Sequence, residues 1–257
     1  MSAFFAIRAG DRSFLFTDGA AYDRHGIVRG FSEKVTCAAT VPFAITAVGN
    51  VDLGDKMKTF LAGQAEKFGV DDFIDTVLPA FLEELRETYA VAEMSGDNVV
   101  AIAIALWSPT RGIQHLGFQT AVDFGRPDIE PFTLRELGAT AVRGPAFPLE
   151  KMSTLRPPQP GEGQTAFVRE MGVTVLGWMR EIKSSRFNEV GTEQYLVGGH
   201  VDMTTVDAAG ARTERVHVWN DKIGQPINPY GAASTVVPFP ENRAARRAAV
   251  SGARRWR

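Results

Sequence analysis

The fold is decided by residues 2–49, which read SAFFAIRAGDRSFLFTDGAAYDRHGIVRGFSEKVTCAATVPFAITAVG. The stretch contains four apolar runs of strand length, at residues 3–9, 13–17, 35–39 and 42–48. A tight turn at residues 10–12 separates the first two runs, a pattern typical of a β-hairpin. The last run stops at Gly49, directly before a helical pattern. We therefore expect two antiparallel hairpins ahead of the first helix.

Three residues able to do chemistry stand at even intervals in this stretch. Asp18 directly follows the second run, Lys34 precedes the third, and the intervals from Ser2 to Asp18 and from Asp18 to Lys34 are both sixteen residues. Taken singly, Asp18 is as well explained as a turn residue and Lys34 as a solvated charge at a sheet edge. Taken together, this spacing resembles the proteasome-type N-terminal-nucleophile hydrolases, the proteasomal beta subunits and their bacterial relatives. Gly49 falls where that family has a glycine after its fourth strand.

The resemblance is dense over about the first fifty residues and only topological beyond them. It implies an α+β fold, a four-layer αββα sandwich of two mainly antiparallel sheets flanked by helices. It also implies that Ser2 is the nucleophile after removal of Met1, that Asp18 and Lys34 assist it, and that the backbone N–H of Gly49 binds the oxyanion. The implied reaction is hydrolysis of an amide bond in a peptide, with no metal or organic cofactor.

The chemistry explains why the nucleophile should be the first residue. A serine hydroxyl needs a nearby base, and a free α-amine, with a pKa of about 7.7 to 8, is partly neutral at physiological pH. Lys34 would lower the pKa of both the amine and the hydroxyl, while Asp18 would orient Lys34 and balance its charge. Met1 before a small residue such as Ser2 is ordinarily removed in the cytoplasm, so no propeptide is required. The N-terminus lacks a basic region followed by a long apolar stretch, so we expect a cytoplasmic protein.

Several positions depart from the family pattern. The family has a further serine near the start of its third helix, and the matching residues 140–145 contain none. Gln194 and Val197 stand where the family has an aspartate and a serine before a Gly-Gly pair, and Ala20 stands at an arginine-like position. Two alternatives therefore remain open. One is a catalytically silent structural or assembly subunit of a larger complex, and the other is a small-molecule amidohydrolase.

Beyond residue 49 the pattern predicts two helices, strands, a helix and two more strands. The first helix is expected over residues 51–68, and the second from residue 70 or 71 to about 94, kinked or split at Pro79. The remaining predicted elements are hairpins at residues 98–107 with 113–122 and 196–206 with 213–219, and a helix at 165–186. The proline-rich residues 125–163 should form loops and short elements.

Composition places the chain in the ordinary globular class. It has 257 residues, 44% hydrophobic and 23% charged, and no apolar run approaches the roughly 20 residues that cross a bilayer. We therefore predict no membrane association. The single cysteine, Cys37, is expected to be a small buried hydrophobe. The four histidines have no neighbours at metal-ligand spacing, so we predict no structural zinc.

The charge is divided unevenly along the chain. Residues 241–257 contain six arginines and one acid, a net charge of +5, which leaves −7 on the rest of the chain. We predict one hydrolase-like domain over residues 1–240 and a basic C-terminal tail over 241–257. The tail is expected either to be solvated or to dock on an acidic protein surface, and it is too short to indicate nucleic-acid binding. The family resemblance implies self-association into an oligomer or ring.

Overall fold

The structure, a computed structural model, describes residues 3–89, 99–122, 128–145, 149–185, 193–231 and 235–236. It is a mixed α+β fold in which every strand pairing is antiparallel among the described residues. The predicted tail at residues 241–257 lies outside the described residues. No helix in the described part of the chain is long and apolar enough to span a membrane.

The strands fall into a first half, before residue 137, and a second half. Those of the first half are β1 (Phe4–Ala9), β2 (Arg12–Asp18), β3 (Ala20–Tyr22), β4 (Val28–Phe31), β5 (Val35–Cys37), β6 (Phe43–Gly49), β7 (Val100–Ser108), β8 (Gly112–Gln119) and β9 (Arg135–Glu136). Those of the second half are β10 (Thr140–Arg143), β11 (Lys183–Ser184), β12 (Gln194–Tyr195), β13 (His200–Asp207), β14 (Gly210–Val218) and β15 (Thr235–Val236).

Two large sheets carry the fold. The first sheet has six strands in the order β10-β1-β2-β13-β14-β15, and the second has five in the order β5-β6-β7-β8-β9. The pairs β3-β4 and β11-β12 form small separate sheets. The β1-β2 hairpin therefore lies at the middle of the first sheet, and the β5-β6 hairpin forms one side of the second.

Helices follow the β5-β6 hairpin and precede the β13-β14 hairpin. They are α1 (Val51–Phe68), α2 (Val70–Asp72), a π-helical segment (Phe73–Val77), α3 (Leu78–Thr88), a 3-10 helix (Leu149–Thr154) and α4 (Gln164–Arg180). Helix α1 begins because the Asn50 side chain accepts a hydrogen bond from the N–H of Leu53, and it ends at Gly69, whose φ is +80°. Pro79 has no N–H and crowds the carbonyl of Asp75, which explains the wider π-helical segment before it.

The sheets and helices enclose three main apolar clusters. Helices α1–α3 pack on the second sheet through residues such as Leu61 and Phe73, and α4 packs on the first sheet around Phe16. Successive side chains of a strand point to opposite faces, so the other faces of the two sheets are free to meet. They do so in a small cluster that includes Leu15 of β2 and Val48 of β6.

The sequence predicted most of these elements. The predicted helix at residues 51–68 is confirmed with the same bounds, and each of the four apolar runs of residues 3–48 contains a strand. Helix α3 ends at Thr88 rather than near 94, with residues 90–98 outside the described residues, and α4 ends at Arg180 rather than 186. The described residues between 125 and 163 contain only short elements, as predicted.

Candidate functional site

The centre of the candidate site is the carboxylate of Asp18, the last residue of β2. It is buried, and its Oδ1 accepts hydrogen bonds from Lys34 Nζ at 2.8 Å and from the backbone N–H of Ala3 at 3.0 Å. Its Oδ2 accepts from the N–H groups of Ala20 and Gly198, each at 3.3 Å. Three backbone donors and one cation therefore stabilise a charge that would be costly to bury alone.

Lys34 enters the site from the second sheet, one residue before β5. Burial lowers its pKa, and the neighbouring Asp18 carboxylate opposes that effect. The carbonyl of Lys34 accepts hydrogen bonds from Lys58 Nζ at 2.9 Å and from Thr46 Oγ1 at 3.2 Å. Lys58, itself paired with Asp55 at 2.8 Å, adds a second positive charge that further lowers the Lys34 pKa. Lys58 could not be singled out from the sequence, because it stands among ordinary polar residues of α1.

Gly49 lies at the end of β6, three residues beyond Thr46. Its φ is +128°, and an added Cβ would lie 2.0 Å from the carbonyl oxygen of Val99. Only glycine fits such a backbone, since other residues are strained there and would collide with β7. Gly49 therefore has a positive-φ backbone conformation that favours glycine. It lies on β6, the strand whose Thr46 donates a hydrogen bond to the Lys34 carbonyl.

Ser2, the predicted nucleophile, lies outside the described residues. Asp18 and Lys34 are in direct contact, and the N–H of Ala3, the residue after Ser2, binds the same carboxylate oxygen as Lys34. The solvated-edge interpretation of Lys34 is wrong, because the lysine is only 9% exposed. Asp18 is likewise a buried acceptor rather than a surface turn residue.

Two of the positions that depart from the family pattern, Gly144 and Val197, adjoin residues whose N–H groups bind Asp18. Gly144 packs against Ala3, with room for no Cβ, so residues 140–145 lie beside the beginning of β1 but offer no serine hydroxyl. Val197 is fully buried in the apolar cluster beneath α4. Gln194 lies in β12, where its amide donates to the carbonyl of Arg24 at 3.1 Å.

A charged cluster on β13 and β14 was not predicted. His200 Nε2 lies 3.0 Å from an Asp202 carboxylate oxygen and 2.9 Å from Arg215 Nη2, and Arg215 Nε donates to Asp202 at 3.0 Å. Burial alone would raise the pKa of Asp202, but its hydrogen bonds to His200 and Arg215 hold it below the usual range. His200 and Asp202 are two residues apart on a predicted strand, and such residues share a face of the sheet. This spacing could have predicted their contact.

The cluster adjoins the candidate site through β2. Asp202 pairs with Thr17 in the sheet register, and its negative charge raises the pKa of Lys34 against the effect of burial. Gly19, directly after Asp18, packs flat against the His200 ring, where an added Cβ would lie 2.1 Å from a ring carbon. The charges of Asp18, Lys58 and Asp202 therefore all lie close enough to Lys34 to affect its pKa.

A second buried polar pair lies near the other end of β2. Ser13 Oγ is 2.5 Å from His115 Nε2, and His115 Nδ1 is 3.2 Å from the carbonyl oxygen of Gly138. A carbonyl only accepts, so Nδ1 carries the proton, Nε2 accepts and Ser13 donates. Burial, aided by the charge of Arg8, lowers the pKa of His115 to about 4. The pair resembles a serine–base dyad in distance, yet both residues are at most 1% exposed.

Among the described residues, no three His, Cys, Asp or Glu side chains are grouped so that they could hold a metal ion. Cys37 is half-buried, and burial raises the pKa of its thiol, as expected for an apolar role. Comparison of the chain with models of known protein families finds no match, and comparison with curated proteins finds no significant similarity.

Proposed function

We propose that this protein is an N-terminal-nucleophile hydrolase that cleaves amide bonds with Ser2, after removal of Met1. The observation that carries the proposal is the shared carboxylate of Asp18. One of its oxygens binds both Lys34 Nζ and the N–H of Ala3, so the residue next to Ser2 and the buried lysine are held at one point. Asp18 and Lys34 are the residues that the family resemblance places beside the nucleophile in a proteasome-like site.

The packing of the layers supports the same interpretation. Helices α1–α3, the second sheet, the first sheet and α4 share apolar clusters in that order. We interpret this order as the αββα sandwich of the family. The proposed site then lies where both sheets contribute, with Asp18 from the first sheet and Lys34 and Gly49 from the second.

Each proposed role follows from charge and geometry. The free α-amine of Ser2 takes the proton of its own hydroxyl, and Oγ attacks the amide carbonyl. The C–N bond then breaks, the leaving amine takes that proton from the α-ammonium group, and an acyl-enzyme remains. Water hydrolyses the acyl-enzyme, which releases the acid and restores the Ser2 hydroxyl. The positive charges of Lys34 and Lys58 keep that amine more acidic, and therefore more often neutral, than an ordinary α-amine. The N–H of Gly49 is the proposed oxyanion donor, and losing such a donor typically costs on the order of 3 kcal/mol of transition-state stabilisation.

The substrate class is a peptide or another amide. A proteasome-like protein would assemble into an oligomer or ring that encloses Ser2 and selects unfolded peptides. A small-molecule amidohydrolase would use the same nucleophile without such a chamber. Peptide hydrolysis is the main proposal because the spacing of Ser2, Asp18 and Lys34 is that of the proteasomal family.

A specific observation favours a second candidate, a catalytically silent assembly subunit. Val197 and Gly144 stand at or near positions where the family carries serine hydroxyls, and both are packed against apolar groups. The sandwich would then serve as a building block whose Asp18–Lys34 pair is retained for stability alone.

Intact-mass measurement of the protein from its native source tests the proposal. We expect loss of Met1 and, after treatment with a β-lactone, a mass increase equal to that of the intact lactone. Ser2→Ala should abolish the adduct. Ser13→Ala is the matched control, because Ser13 is the serine with a base in contact, and it should leave the adduct unchanged.

The outcomes separate the candidates. Retention of Met1 with no adduct would contradict the hydrolase and favour the silent subunit. An adduct that survives Ser2→Ala would show that another residue is the nucleophile. If the adduct forms, turnover of peptides against small amides, measured at equal concentrations, distinguishes the peptidase from the small-molecule amidohydrolase.

A further inference from the structure

The outer surface of the helical layer carries an aromatic groove between α1 and the α2–α3 segment. The groove has a volume of about 540 Å³, and Phe60, Phe68 and Phe81 line it. Phe60 is 46% exposed and Phe68 is 42% exposed, and the rings of Phe60 and Phe81 stand 5.3 Å apart. Several large apolar side chains exposed together usually mark an interaction surface.

The groove is acidic as well as aromatic. Asp72 and Glu84 line it, and none of the described residues that line it has a basic side chain. Neither acid has an ion pair within the part of the chain that the structure describes, whereas the nearby Asp75 is neutralised by Arg111 at 2.6 Å. Lys67 lies next to the groove, with its Nζ 4.8 Å from the ring of Phe68.

The charge of this segment is matched elsewhere in the same chain. Residues 70–88 contain six acids and one arginine, a net charge of −5. Residues 241–257, the arginine-rich segment, contain six arginines, Trp256 and one acid, a net charge of +5. An arginine gains from a carboxylate and from the face of an aromatic ring, and the groove offers both.

We propose that the arginine-rich segment, residues 241–257, docks in the groove between α1 and α2–α3. Its arginines pair with Asp72 and Glu84 and stack on Phe60 and Phe81. The interaction combines complementary net charge with cation–π contacts, so it is specific for a basic segment and weakens at high salt. The proposal does not depend on Ser2 or on any hydrolase activity.

Disulfide mapping in the full-length chain tests the proposal. Cys37→Ser removes the single native thiol, Gln64→Cys places a thiol in the groove, and Ala245→Cys places one between Arg243 and Arg246. We expect these two thiols to cross-link at least tenfold faster than a control pair of Ala208→Cys with Ala245→Cys. Ala208 is an exposed turn residue on the first sheet and so reports chance encounters.

Charge reversal provides the second arm. Asp72→Lys with Glu84→Lys should slow the Gln64→Cys cross-link to the control rate, as should 1 M NaCl, which shortens the screening length to about 3 Å. Asp11→Lys, a charge reversal on the exposed β1-β2 turn, should change nothing. Each variant is checked for a cooperative thermal transition.

The cross-linked product also shows the origin of the segment. A cross-link within one chain indicates docking in the same molecule, and a cross-linked dimer indicates that the segment joins two copies, and either product supports the proposal. Equal cross-linking of the groove pair and the Ala208 control pair would overturn it. A fast groove cross-link that is unaffected by charge reversal in folded protein would also overturn it, because the proposed recognition depends on Asp72 and Glu84.

Discussion

Strand β2 contacts the second sheet through polar side chains at both of its ends, and the two contacts differ in kind. Near its beginning, Ser13 meets His115 of β8 in a neutral pair. At its end, Asp18 meets Lys34, next to β5, in an ion pair. The two β2 residues are five positions apart, or about 17 Å along an extended strand. Strand β2 thus places polar groups against the second sheet in two ways, once as a neutral hydrogen-bonded pair and once as an ion pair.

The difference lies in what surrounds each pair. The Asp18 carboxylate has three backbone N–H donors besides Lys34, and Asp202 and Lys58 lie close enough to affect the Lys34 pKa. Among the described residues, the His115 ring has two hydrogen-bond partners, the Gly138 carbonyl and the Ser13 hydroxyl, and neither is charged, so burial favours the neutral form of the ring. Of the two pairs, the one that is charged is the one on which backbone donors and a counter-ion converge.

The comparison also shows why distance alone does not identify an active site. Ser13 and His115 are close enough for proton transfer, but at 0% and 1% exposure no substrate could reach them. The Asp18–Lys34 contact is longer, at 2.8 Å, but it adjoins Ala3, the residue after the proposed nucleophile. We therefore assign structure to the first pair and propose chemistry at the second.

The largest expected effect is on the ion pair. Lys34→Met leaves the buried Asp18 charge without its cation, and we expect it to lower the free energy of unfolding by about 3 to 5 kcal/mol. The measurement is urea-induced unfolding at pH 7. The double variant Asp18→Asn with Lys34→Met should recover part of the loss. It removes the unpaired charge, which costs more than the backbone N–H bonds that the Asn amide nitrogen cannot accept.

A control for this prediction is an ion pair on the surface. Arg111→Ala breaks the exposed contact with Asp75 and should change stability very little, because water solvates both charges. If Lys34→Met lowered the free energy of unfolding as little as Arg111→Ala, the buried ion pair would not stabilise the fold. A double variant less stable than Lys34→Met would contradict the explanation based on an unpaired charge.

The next effect, of about 3 kcal/mol, concerns pH and the neutral pair. The folded-state pKa of His115 is lowered from 6.5 to about 4, so the unfolded chain binds a proton at a pH where the folded chain does not. The contribution of His115 to the free energy of unfolding is therefore complete above pH 6.5. It is lost as pH falls toward 4, because protons then bind the unfolded chain more readily. A difference of about 2.5 pKa units corresponds to about 3 kcal/mol.

The test compares the pH dependence of stability in two proteins. The free energy of unfolding is measured from pH 7.5 to 4.5 for wild type and for His115→Gln, in which the carboxylates titrate as before but residue 115 does not. Wild type should lose more stability over this range than His115→Gln. Parallel curves would show that His115 becomes protonated in the folded state as readily as in the unfolded state.

The sequence predicted one of these two pairs and missed the other. The contact of Asp18 with Lys34 is the one expected from a sixteen-residue spacing that resembles the pattern of the N-terminal-nucleophile hydrolases. The contact of Ser13 with His115 joins residues 102 positions apart, and no spacing rule covers such a pair. A serine on an apolar strand and a histidine on another look like isolated polar residues until the sheets are assembled.

The ends of the helices likewise could be predicted only where the local sequence determines them. Helix α1 was predicted with its bounds because the helical pattern begins directly after the run that stops at Gly49 and ends at Gly69, and the structure adds an N-cap at Asn50. Helix α4 ends six residues earlier than predicted. The sequence after Arg180 continues with residues able to form a helix, but residues 183–184 pair with β12 instead. Tertiary pairing overrides local propensity where no capping residue stands.

The smallest of the three effects isolates the hydroxyl of the neutral pair. Ser13→Ala leaves His115 Nε2 buried without a donor, which should lower the free energy of unfolding by about 1 to 2 kcal/mol. Ser13→Ala with His115→Leu should be more stable than Ser13→Ala alone, because the buried Nε2 is then absent and water can solvate the carbonyl of the exposed Gly138, which loses its His115 donor. The measurement is urea-induced unfolding at pH 7.5, where His115 is neutral. A double variant that loses the sum of both single losses would mean that Ser13 and His115 act independently, and the two ends of β2 would then differ less than their geometry indicates.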